Sequence, residues 1–156
     1  MKISLFCMGK TNFHFLREGI ELYKIRIDHY TNFNIVEIPN KKQGGNNPIN
    51  VLKREGDNLL SRISDSDFVV LLDEKGKQCT SEEMADFIES KMNLPVKHIV
   101  FVIGGAFGFS ESVFKRANTI LSLSKLTFSH QLVRLIFMEQ LYRAFTILKG
   151  EPYHHS

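Results

Sequence analysis

The chain has 156 residues, 43% hydrophobic and 24% charged, which is the make-up of one globular domain with its own core and excludes disordered and fibrous classes. No stretch approaches the roughly 18 consecutive apolar residues of a membrane span, and the opening MKISLFCMGK is too short in its apolar run for a secretory signal, so the expected location is the cytoplasm. A net charge of +3 permits an anionic partner without requiring one, and any nucleic-acid surface has to be assembled in three dimensions because no Lys/Arg run exceeds two residues, as at Lys41-Lys42.

Residues 2–8 read as a first strand with Ile3, Leu5 and Cys7 on one face, and Gly9 ends it. Over 11–30 apolar residues recur at helical spacing (Phe13, Leu16, Ile20, Tyr23, Ile27). A second strand over 33–38 closes at Pro39, and 40–47 (NKKQGGNN) carries the turn chemistry of a flexible loop. Asn47 followed by Pro48 is an N-cap with proline at the first helical position, predicting a helix to about 63 that Gly56 weakens. The run 68–72 is apolar throughout and ends in Asp73, the profile of a strand buried on both faces. Thr80 and Glu83 form a capping box ahead of a helix that stops before Pro95. Another buried strand over 99–103 is broken by Gly104 and Gly105, Ser110 caps a short helix ending near 117, and Thr119 begins the last strand. Cys7 and Cys79 lack a CxxC spacing, so neither a metal site nor a disulfide framework is expected. The order βαβαβαβαβα predicts an α/β fold: a mostly parallel sheet with helices on both faces.

In such sheets ligands bind beyond the carboxyl ends of the strands. Three such ends carry chemistry: Leu72-Asp73, Gly104-Gly105 and the polar loop after 121. That loop leads into a helix over 132–148 with apolar residues on nearly every face, so a second copy of the chain is expected to finish covering it. Arg134 and Arg143 on that helix are costly unless paired or pointing into a cleft, and His130 stands one turn before Arg134. His14, His29 and His98 have no ligand-spaced partner and read as surface or structural. The segment IGGAFGFS invites a dinucleotide reading, but GGxxG is not GxGxxG and no phosphate-loop motif is present, so a dinucleotide oxidoreductase is disfavoured; a tight turn is the plainer reading of an isolated glycine pair, and its place at a buried strand end shifts the balance towards a ligand. Asp73 is either a ribose acceptor or, more commonly, a strand-ending turn residue. The tail GEPYHHS is by default a frayed end, or else its Tyr153, His154 and His155 complete a site on a neighbouring chain.

VVLLDEKGK, FVIGGAFG, LSLSKLTFSHQLVRLIFMEQLYRAF and the terminal PYHH, in this order and with these separations, resemble the RlmH family of ribosomal RNA methyltransferases in the SPOUT class, across essentially the whole chain. The resemblance implies a single domain over 1–156 with a C-terminal trefoil knot, spanning approximately 68–153, and a homodimer that binds S-adenosylmethionine in the knot. It implies a cofactor pocket from Leu72, Gly104, Leu123, Ser124, Lys125, Leu126, Thr127 and Phe128. The implied activity is methylation of N3 of a pseudouridine in large-subunit (23S) rRNA of the assembled ribosome, with no metal. His130 and Arg134 are then expected to orient or stabilise the target base, with Tyr142, Arg143 and the Tyr153-His154 tail forming its pocket. Lys41, Lys42 and Arg143 are expected to touch the ribosome. Two departures stand out: Ser129 replaces the family's usual proline and is placed to cap the last helix, and His155 replaces a terminal cation. A non-catalytic ribosome-binding module and a tRNA methyltransferase are the alternative readings.

Overall fold

The computed structural model describes residues 1–40 and 47–155. Its elements follow the expected alternation: β1 (Lys2–Met8), α1 (His14–Asp28), β2 (Asn32–Ile38), α2 (Pro48–Leu60), β3 (Phe68–Gln78), α3 (Ser81–Met92), β4 (His98–Ile103), α4 (Glu111–Arg116), β5 (Thr119–Ser122) and α5 (Leu132–Leu148). The five strands form one parallel sheet in the order β2-β1-β4-β3-β5. Strand side chains alternate between faces, which divides the core in two. Ile3, Leu5, Ile99 and Phe101 join residues of α1, α3 and α5, whereas Phe6, Met8, Val100 and Val102 join Leu59 of α2 and Val113 of α4.

The local signals at the helix starts operate as read. The Asn47 side chain accepts the Ile49 N–H ahead of Pro48, and both halves of the Thr80–Glu83 capping box are formed. Gly56 is no mere weak point, because a Cβ there would lie 2.5 Å from Ser110 Oγ, so its bareness lets α2 approach the start of α4. Ser110 does not cap α4 with its side chain; its hydroxyl meets Ser112 Oγ at 3.1 Å instead. The expected loop over 40–47, with Lys41 and Lys42, lies outside the described residues apart from its two ends.

Two expectations are corrected. Strand β3 does not end at Asp73: after an irregularity between Leu72 and Lys77 it pairs with β5 again at Lys77 and Gln78. Gly76 permits this, since a Cβ there would stand 2.7 Å from the backbone carbons of Ile120 and Leu121. The second correction concerns α5, whose residues Phe137, Met138, Leu141, Ala144 and Phe145 are buried within the single chain between α1, α3 and the sheet. Its apolar girth therefore does not by itself demand a second copy. To reach that position the chain leaves the edge strand β5 and crosses the carboxyl ends of the sheet, a path compatible with the knotted arrangement of the SPOUT fold.

Candidate functional site

The crossing segment is fixed by the exposed Ser129 and by two buried polar side chains, Gln131 and Arg134. Ser129 Oγ accepts the Leu132 N–H at 3.0 Å, the capping role read from the sequence. Gln131 is buried, accepts the Asn12 N–H at 2.8 Å and donates to the Lys10 carbonyl at 2.9 Å. Arg134, only 1% exposed, donates to the carbonyls of Met8 (2.8 Å), Gly9 (3.0 Å) and His130 (3.1 Å) and to Thr11 Oγ1 (2.9 Å), with Glu37 at 3.8 Å. The guanidinium is thus a clamp between the end of β1 and the start of α5. Its donors face the carbonyls of Met8, Gly9 and His130 and the Thr11 hydroxyl.

Beside the irregularity of β3 after Leu72, and above the carboxyl ends of β4 and β5, lies a cavity of about 190 Å³. Leu72, Gly104, Leu123, Ser124, Leu126, Thr127 and Phe128 line it, as expected, and Lys125 does not. Asp73, Glu74, Ile103, Gly105, Ala106, Gly108, Phe109, His130 and Val133 complete the wall. The loop holds its own shape: Ser122 Oγ donates to the Ser124 carbonyl, Ser124 Oγ accepts the Leu126 N–H, and Thr127 Oγ1 donates to Glu74. Gly104 is needed for close approach, because a Cβ would meet the Gly108 carbonyl oxygen at 2.9 Å. Gly108 itself has φ +78°, in the left-handed region that glycine adopts freely.

A second, larger cleft of about 800 Å³ opens beside the first. Met8, Arg54, Glu55, Asn58, Phe107 and His130 are among its walls, and Gly105, Ala106 and His130 border both spaces. Burial, reinforced by the Arg134 charge, holds the His130 imidazole below its ordinary pKa of 6.5, so it is neutral at pH 7. Glu55 is shifted upward by burial, partly offset by Arg54.

Tyr142, Arg143 and His154 line neither cavity. Tyr142 and Arg143 stand further along α5, twelve and thirteen residues from His130 and hence about 18 Å along the helix at about 1.5 Å per residue, and His154 docks beside Arg143. There the tail docks on its own chain. Tyr153 Oη donates to Glu139 (3.0 Å) and its ring packs edge-on against Tyr142 at 4.8 Å. His154 bridges Arg143 (3.1 Å) and Glu82 (2.8 Å). The bond to Glu139 leads the causes that raise the Arg143 pKa, while the His154 contact leads those that lower Glu82. Within one chain the expected catalytic set is therefore split into two clusters.

Glu74, Glu55, Gln131 and Val133 were not legible as site residues from their surroundings in the sequence. The spacing of glycines in IGGAFGFS was the signal for Gly108, and a polar Gln131 at the head of an apolar helix was the available signal for the clamp. Of the histidines read as surface or structural, His14 lies exposed beside Glu18 (2.8 Å), and His98 joins Asp67 (2.9 Å) to Ser4 (2.8 Å) at the amino ends of the strands. Cys7 and Cys79 are free thiols, and burial pushes Cys7 up to about 12.

The chain matches the family model described as "Predicted SPOUT methyltransferase" over residues 1–154. It is 54% identical to a protein of Christiangramia forsetii over 156 residues, covering 99% of each chain. It is 50% identical to a protein of Cytophaga hutchinsonii (99% of this chain, 100% of the relative) and 48% identical to one of Parabacteroides distasonis (100% of both). Each of these relatives is named ribosomal RNA large subunit methyltransferase H. With a parallel sheet, a glycine-built cavity at its carboxyl edge and full-length similarity in agreement, the chain belongs to the SPOUT methyltransferase family, in its RlmH branch.

Proposed function

We propose that this chain transfers a methyl group from S-adenosylmethionine to N3 of a pseudouridine in large-subunit (23S) rRNA of the assembled ribosome. The observation that carries the reading is the cavity beside the irregularity of β3 and the ends of β4 and β5, which opens past His130 into a larger cleft. The cavity suits this cofactor. Leu72, Ile103, Leu123, Leu126 and Phe128 supply apolar walls for a nucleoside, and the bare Gly104–Gly108 turn leaves backbone room that a side chain would fill. When bound, S-adenosylmethionine supplies an electrophilic methyl group on a sulfonium. The residues of the chain then hold the two reactants in line, where positioning provides much of the rate. Neutral His130 at the junction orients the target base and stabilises the negative charge that develops on it. Arg134 holds His130 in place.

The reading includes a homodimer and a knotted path over 68–153. A second copy is supported by exposed apolar residues on the outer side of α1 and the start of α5 (Phe13, Phe15, Leu22, Ile25, Leu132). It is also what would carry Tyr142, Arg143, Tyr153 and His154 of one chain to the site of another. No helix among the described residues is long and apolar enough to cross a membrane, and no His/Cys/Asp/Glu cluster among them is arranged for a metal.

The test is methyl transfer from labelled S-adenosylmethionine to ribosomes of a strain lacking this gene, with free rRNA, separate subunits and tRNA in parallel. Label mapped to an N3-methylated pseudouridine of large-subunit rRNA, falling as salt rises, is expected. Label confined to tRNA overturns the substrate, and no label despite cofactor binding overturns the activity.

A further inference from the structure

We infer that Glu55 is the substrate-facing carboxylate of this reaction, accepting the N3–H of the target base and then its proton. The inference rests on the proposed methyl transfer and adds a residue to it.

The geometry is specific. Glu55 stands on α2, a helix of the opposite sheet face from α5, yet its carboxylate reaches Gly105 at the mouth of the cofactor cavity. A Cβ on Gly105 would lie 2.8 Å from Glu55 Oε2 and 2.9 Å from Oε1, so the carboxylate occupies the space that the glycine leaves open. Glu55 lines the larger cleft, and Oε1 is buried with no hydrogen-bond partner among the described residues. A buried acceptor left unmatched is costly, and such groups are commonly matched by a ligand or have a catalytic use. The titratable and charged groups that share its cleft are Arg54, Asp57 and His130. Of these, Arg54 favours the charged form but does not cancel the effect of burial.

The chemistry requires such a group. An imide nitrogen attacks a methyl carbon only once its own proton leaves. In the balanced step the N3–CH3 bond forms, the S–CH3 bond breaks with its electron pair staying on sulfur, and the N3 proton passes to Glu55. The thioether product is neutral, and the protonated carboxyl releases its proton to solvent after product leaves. A carboxyl made more basic by burial is better matched to this proton than an exposed one. His130, neutral on the far side of the junction, is left to donate to the base's oxygens.

The experiment compares wild type with Glu55→Gln, Glu55→Asp and Glu55→Leu in the ribosome assay from pH 6 to 9. S-adenosylhomocysteine affinity, thermal melting and affinity for unmethylated and methylated ribosomes are measured alongside. Glu55→Gln is expected to lower turnover about 100-fold at neutral pH, with the deficit shrinking as pH rises and the base ionises by itself. Cofactor affinity should stay within about twofold, and Glu55→Asp should recover part of the rate. Wild type should favour unmethylated over methylated ribosomes, and Glu55→Leu, which has no acceptor, should lose that preference, because only the unmethylated base has an N–H to offer; Glu55→Gln keeps an accepting amide oxygen and should retain part of it. Turnover and pH profile equal to wild type, or a loss confined to cofactor affinity or to folding, overturns the assignment. An inactive wild type in the same assay overturns the methyl-transfer reading instead.

Discussion

Replacing Arg134 by methionine separates a clamp from a substrate contact. The substitution keeps the length and apolar stem but removes the donors to the carbonyls of Met8, Gly9 and His130 and to Thr11 Oγ1. The bonds to Met8, Gly9 and Thr11 lie in the buried interior, where an orphaned acceptor costs about 1–3 kcal/mol. Glu37 is 42% exposed, so water rescues it and it adds little. A net loss of about 3–5 kcal/mol follows. Unfolding entropy near 2.1 cal/mol/K per residue then converts this to a melting temperature lower by about 10–15 °C. Differential scanning calorimetry reads the shift, while titration with S-adenosylhomocysteine and ribosome methylation are run well below the new midpoint. Turnover should fall more than cofactor affinity, because the clamp sets the His130 backbone and not the apolar cofactor walls. Arg134→Lys should lie between, since an ammonium cannot spread over a fork of separate carbonyls. A variant that melts within about 3 °C of wild type yet has lost turnover would show that the guanidinium serves the substrate directly, and the clamp argument would fall.

Two further outcomes rest on single contacts in the fold. Gly104→Ala puts a Cβ 2.9 Å from the Gly108 carbonyl, a backbone atom that cannot swing aside; S-adenosylhomocysteine affinity should drop at least about tenfold, with a modest stability cost of about 1–3 kcal/mol from overpacking, and unchanged affinity in calorimetry would remove the turn from the cofactor site. At Asp67, burial alone would raise the pKa, but the Ser64 N–H and the His98 bonds outweigh it and leave the carboxyl below its ordinary 3.8. The sign is that of a depressed acid: its stabilisation is present above the unfolded value and lost as pH falls through the lower folded value. Urea melts of wild type should therefore weaken below about pH 4 more steeply than those of Asp67→Asn, and parallel curves would contradict the linkage.

Much of the architecture was legible because its causes are local. The Asn47-Pro48 start and the Thr80–Glu83 box satisfy helix donors within four residues of themselves, and the apolar runs of β3 and β4 declare strands buried on both faces. Seven of the eight residues assigned to the cofactor pocket by resemblance do line the cavity, since a loop and two strand ends are continuous pieces of chain. Lys125 does not line it, because the direction of one side chain in a loop depends on the turn it occupies, not on its neighbours' identities.

The chain by itself determined the alternation of elements, the parallel sheet and the family, all of which are written in short strings of residues. Tertiary structure alone decided what the charged groups do. Arg134 finds its partners 123 to 126 residues away in the turn after β1, Glu55 meets Gly105 from a helix on the other sheet face, and α5 is covered by α1 and α3 from its own chain. The physical reason is that a charge's cost and use are set by its solvation and by the dipoles around it, and those are supplied by segments remote in sequence and brought together only by the sheet order.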